Sequence, residues 1–125
     1  MEKWFRYLLI STAIFNFFGA VIFALPIFGQ QELSGLPENS HPFYLWVISS
    51  WIFLLGVGYL WLAFSPKPER LFVAVAAGMK LTIALLFFAF WMLGELKSNF
   101  ILAGCGDLFF GIGFIYWLFK TVNHS

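Results

Sequence analysis

Two residues combine reactive chemistry with a costly setting. Lys80 lies in AAGMKLTIALLFFAF and Asp107 in LAGCGDLFFGIG, each a lone charge within an apolar run. An ammonium can donate a proton and a carboxylate can accept one. At bilayer depth a charge costs roughly 3 kcal/mol on insertion scales, so it faces protein or water and marks a binding or conduction path. Thr12, Asn16, Ser49, Ser50 and Tyr59 lie in similar apolar surroundings. Together with Lys80 and Asp107 they form the candidate ligand-binding set.

Catalytic constellations are not evident beside it. No nucleophile is spaced to meet a base, and the single Cys105 cannot close a disulfide within the chain. His41, Glu32, Glu38 and Glu95 contain metal-ligand types, but no helical spacing such as Glu-x-x-His supports a site. His41 and His124 fall outside the apolar runs, which leaves no haem ligand within them. Neither a metal nor another cofactor is expected, and an enzyme is the least supported class.

The elements that must position these side chains follow from composition. Charged residues make up 10% of the chain against about 25% in an ordinary soluble domain, while 62% is hydrophobic. A 125-residue core cannot bury that much apolar surface, so lipid must be the solvent for most of it. A hydrocarbon core of about 30 Å needs about 20 helical residues. Four runs meet that length, predicting helices over about 5–26, 43–64, 71–93 and 100–119. The fold class is therefore all-α: one polytopic membrane domain, an antiparallel bundle of four transmembrane helices. The first run follows Lys3 and Arg6 as a signal peptide would, but it is longer than such a segment and rich in Phe, so it reads as a retained helix. No internal repeat is evident. A net charge of +1 without a basic cluster gives no reason to expect nucleic acid.

Orientation follows from Lys and Arg. The N-terminus, the 2–3 turn and the tail share one side and carry Lys3, Arg6, Lys67, Arg70 and Lys120. The other side carries Lys97, with Glu32, Glu38 and Glu95. Positive residues favour the cytoplasm, so both termini are expected there, with the Glu32–His41 loop on the opposite side.

Small and polar residues form a stripe on each helix, the signature of close membrane packing. Gly106 and Gly113 open a second face on the last helix, suited to a homo-oligomer. Lys80 lies ten residues into its helix, roughly 15 Å deep, and Asn16 matches it. Asp107 lies roughly 12 Å from the opposite face. Because side chains lean toward their helix N-terminus, two separate polar layers are expected. The inner layer holds Lys80 with Ser11, Thr12, Asn16 and Tyr59 in a pocket open to the cytoplasm. The outer layer holds Asp107 with Ser49 or Ser50, facing helix two.

The motifs GMK (78–80), GEL (94–96) and AGCGDLFFGIGFIYWL (103–118) resemble a group of small, functionally uncharacterised bacterial four-span membrane proteins, loosely DoxX-like. The resemblance covers residues 78 to 118 best, and helix one only through FRYLLI and the small residues near Gly19. It implies an inner-membrane four-helix bundle with Lys80, Glu95 and Asp107 at recurring charged positions, and implies no activity. The best-supported function is a binding or carrier bundle for a lipid-like or small amphipathic ligand, with membrane lipids as partners. An ion- or proton-coupled transport unit and an accessory subunit of a larger complex are the alternatives.

Overall fold

The computed structural model describes residues 2–29 and 41–121. They form four long helices: α1 (Lys3–Ala24), α2 (Pro42–Ala63), α3 (Arg70–Met92) and α4 (Asn99–Lys120). All four are long and apolar enough to cross a membrane. Their outer faces carry large apolar side chains such as Phe18, Trp61, Leu71 and Leu102, each at least 70% exposed, as lipid-facing surfaces must.

Local chemistry sets the ends. Pro26 falls in a 3-10 turn, Leu25–Phe28, that closes on Gly29 at φ +82°. The His41 imidazole accepts a hydrogen bond from Phe43 N–H and caps α2. The α2–α3 connection contains Pro66 and Pro68, which cannot donate helical hydrogen bonds. Past α3, Gly94 at φ +79° lets Glu95 N–H reach back to Phe90 C=O at 2.9 Å. That is the left-handed closure typical of helix C-termini.

The helices pack as two hairpins. In the first, α1 lies antiparallel to α2, tied by Arg6 Nε to Ala63 C=O (2.9 Å) and Ser49 Oγ to Ala20 C=O (2.7 Å). In the second, α3 lies against α4, and Arg70 donates to Leu118 C=O (2.9 Å) and to Thr121 Oγ1 (2.6 Å). An arginine thus holds the open end of each hairpin on a carbonyl at the C-terminal end of its partner helix. We call this the basic end of the bundle. There Lys120 also meets Glu2 at 3.1 Å. The Trp4 indole and Lys120 hold the Glu2 carboxyl below its usual range.

The hairpins correspond to one another in the positions they bury, a repeat not evident in the sequence. A shift of 64 positions carries the buried residues Leu9, Thr12, Ala13, Asn16 and Ala20 of α1 onto Val73, Ala76, Ala77, Lys80 and Ala84, all buried in α3. A shift of 55 carries Leu45, Gly56, Tyr59 and Leu62 of α2 onto Phe100, Gly111, Phe114 and Trp117 of α4. Contacts between hairpins are reciprocal too. A Cβ added at Gly113 would lie 2.7 Å from Leu8, and one at Gly58 would lie 3.0 Å from Phe72, the counterpart pair. Exchange of the same patches in both directions is the mark of two-fold symmetry. The repeats run parallel, so the pseudo-axis follows the bundle axis.

Two clusters close the bundle lengthwise. Phe5, Leu9, Tyr59, Val73, Phe114 and Trp117 fill the basic half, with Phe5 and Trp117 stacked at 4.3 Å. At the far end Leu45 and Phe100 pack with Phe23, Ile27, Phe87 and Leu96.

Candidate functional site

Between those clusters lies the polar centre. Lys80 Nζ donates to Asn16 Oδ1 at 2.6 Å and to Asp107 Oδ1 at 2.9 Å. All three residues are buried. Asn16 Nδ2 in turn donates to Ile52 C=O at 3.1 Å. Three aromatic rings surround the ammonium, with centroids 5.1 Å (Phe15), 5.7 Å (Tyr59) and 5.9 Å (Phe110) from Nζ. Ring faces attract a desolvated cation, supplementing the two oxygens.

This arrangement corrects the expectation of two polar layers. Lys80 lies ten residues on from Arg70, and Asp107 eleven back from Leu118. Because Arg70 and Leu118 are bonded, the register brings Lys80 and Asp107 to one level, and the long lysine stem covers the remaining gap. The lean of a side chain along its helix is the smaller effect. Asn16 occupies the same level in the first hairpin, ten residues on from Arg6.

The remaining candidates divide. Tyr59 belongs to the centre. Thr12 is buried, but its hydroxyl donates to Leu8 C=O of its own helix at 2.7 Å. Ser49 is committed to Ala20, not to Asp107, and Ser50 and Ser11 are exposed. Glu95 is exposed, and Glu32 and Glu38 lie outside the described residues. Gly106 and Gly113 face Phe15 and Leu8 of α1, so the glycine face expected to meet a second copy is filled within the chain. Sequence reasoning also missed Phe15, Phe110 and the Ile52 carbonyl. The aromatic residues carried no signal among 18 Phe, and a backbone acceptor carries none at all.

A cavity of about 560 Å³ opens beside the polar centre, toward the far end. Asn16, Tyr59, Lys80 and Asp107 form its floor, and Phe23, Phe87 and Phe100 form its roof. Its walls between the hairpins are apolar, among them Leu55 and Ile83. The expected pocket open toward the basic end is therefore corrected. That side is plugged by Phe5, Leu9, Phe114 and Trp117, and the open volume lies on the other side of Lys80.

Departures from the repeat explain the cavity. Gly106 lets Phe15 lie against α4, whereas its counterpart in α2 is Trp51, opposite Met79. Leu8 against Gly113 becomes the larger Phe72 against Gly58. The bulkier pair holds α2 and α3 apart: their Cα atoms stay beyond 8 Å throughout, while α1 and α4 approach more closely. Trp51, Met79 and Ile83 line this gap and remain exposed on the outside.

No family model, curated protein or solved structure matches the chain.

Proposed function

We propose that this protein is a four-span inner-membrane binding or carrier bundle. Its cavity takes a lipid-like or small amphipathic ligand from the surrounding membrane. The observation that carries the reading is the 560 Å³ cavity, apolar on its walls and polar on its floor. Ligand sites have this character, commonly 300–1,000 Å³ with a few placed polar groups, and in bundles they form between helices. Both termini lie in the cytoplasm on this reading, supported by the lysines and arginines of the basic end. The loosely DoxX-like resemblance fits a bacterial inner membrane.

An Ile83→Trp variant tests the reading, because the indole would fill the cavity. Protein purified in mild detergent should carry a co-purified lipid-like molecule, seen by native mass spectrometry, that the variant lacks. Equal recovery from both would refute a cavity-bound ligand. A reporter fused after Ser125 that is active only outside the cytoplasm would overturn the orientation.

Ion- or proton-coupled transport is the second reading, favoured by the buried Lys80–Asp107 pair, since intramembrane ionisable groups mark such paths. The plugged basic half argues against a continuous path. Flux into proteoliposomes, abolished by Lys80→Met, would replace the carrier reading with this one. An accessory role in a larger complex has no specific observation in its favour.

A further inference from the structure

Two polar atoms of the floor are left without partners among the described residues. Tyr59 is 1% exposed, and no hydrogen bond reaches its hydroxyl. Asp107 is 5% exposed and uses Oδ1 for Lys80, leaving Oδ2 unbonded. No unpartnered side-chain nitrogen or oxygen in this part of the chain is sealed from open space. Both residues line the cavity, so these two atoms keep access to it. A buried polar group left unmatched costs free energy, and both atoms would gain from a partner.

Net charge decides what that partner is. Lys80 and Asp107 neutralise each other at 2.9 Å, and the ammonium is enclosed by two oxygens and three rings. A charged head group would enter this apolar volume as a third, unbalanced charge, and a desolvated lone charge is far costlier than a dipole. The Tyr59 hydroxyl offers a donor, and the Asp107 carboxylate accepts only. A head that satisfies both must accept one hydrogen bond and donate another.

We propose that the site selects an uncharged amphiphile with a small hydroxyl-type head, bound head-first against Tyr59 and Asp107. Its apolar chain leaves through the gap between α2 and α3, past Trp51 and Met79. This rests on the cavity's being a ligand site and specifies which chemistry it takes. A hydroxyl serves both partners, an ester carbonyl only the tyrosine, and a carboxylate adds the unbalanced charge.

Three probes with one chain and different heads test it: oleyl alcohol, methyl oleate and oleate at pH 9. Each is titrated into protein in nanodiscs and counted by native mass spectrometry, with Ile83→Trp as the filled-cavity control. Oleyl alcohol should bind about tenfold more tightly than either other probe, the effect of one well-placed hydrogen bond. Tyr59→Phe should weaken oleyl alcohol and methyl oleate alike, severalfold, while the alcohol keeps its advantage through Asp107. Equal binding of all three, abolished by Ile83→Trp, would overturn the head-group inference and leave the ligand site standing. A preference for oleate would overturn it too. Binding that Ile83→Trp leaves unchanged would remove the ligand site itself. Should Tyr59→Phe fail to fold, the ranking of the three probes on the parent protein decides.

Discussion

Asn16 and Lys80 occupy the same place in the two hairpins, and they meet across the pseudo-axis at 2.6 Å. At some positions the repeat pairs like with like: Arg6 with Arg70, Ala13 with Ala77, Gly56 with Gly111. At the centre it pairs Asn16 with Lys80 and Ile52 with Asp107. Asn16 bonds to the Ile52 carbonyl as Lys80 bonds to the Asp107 carboxylate. The hairpin that carries an amide and a peptide carbonyl here faces the hairpin that carries an ion pair.

Breaking that pair from one side leaves an uncompensated buried charge. Asp107→Leu should cost about 3–5 kcal/mol in unfolding measured in detergent, with Asp107→Asn clearly milder because the amide still accepts from Lys80. Lys80→Met combined with Asp107→Leu should be more stable than Asp107→Leu alone.

Asn16→Leu should destabilise more than Thr12→Val, although both residues are buried. The asparagine links Lys80 to the Ile52 carbonyl, so its loss removes two hydrogen bonds between helices, about 1 kcal/mol for each. The threonine hydroxyl serves only its own helix. Equal Tm losses would contradict the bonding described.

Two glycines give opposite expectations. A Cβ at Gly106 would come 2.6 Å from Phe15, the ring beside Lys80, whereas nothing lies within 4 Å at Gly78. Gly106→Ala should lower stability by about 1–3 kcal/mol through overpacking. Gly78→Ala should raise it, by up to about 1 kcal/mol, through helix propensity.

The pseudo-symmetry can be tested by exchange. A variant with Asn16→Lys, Ile52→Asp, Lys80→Asn and Asp107→Ile moves the polar centre to the other hairpin and should melt near the parent temperature. Asn16→Lys alone sets two ammoniums against each other and should melt far lower. Equal losses in both would show that the hairpins are not interchangeable at their centre.

Much of this was legible beforehand. Span length and apolar composition determine four helices, and the Pro66–Pro68 and Gly94 breaks define two of the connections. That Lys80, Asp107, Asn16 and Tyr59 face inward follows from the expense of placing them in lipid. The expectation of two layers rests on the lean of side chains toward their helix N-termini, and the reach of the lysine stem exceeds that lean. The arginine–carbonyl links fix the register, and an acceptor carbonyl has no letter in the sequence. The repeat hid for a related reason. It is conserved in which positions are buried and how they touch, while few side chains are identical. Arg6 to Asn16 and Arg70 to Lys80 share a spacing of ten, and GVGY (56–59) matches GIGF (111–114). Only the shared contacts give those coincidences weight.

The distribution of links between and within hairpins also bears on how the chain is made. Each arginine clasp closes inside its own hairpin, and so does the Lys80–Asp107 pair, whose members lie 27 positions apart, against 64 from Lys80 to Asn16. The first hairpin reaches the bilayer with no deep charge. The second neutralises its own as soon as α4 follows α3, before the halves dock. Membrane insertion can therefore proceed two helices at a time, and no intermediate must hold a bare ammonium in lipid until a distant partner arrives.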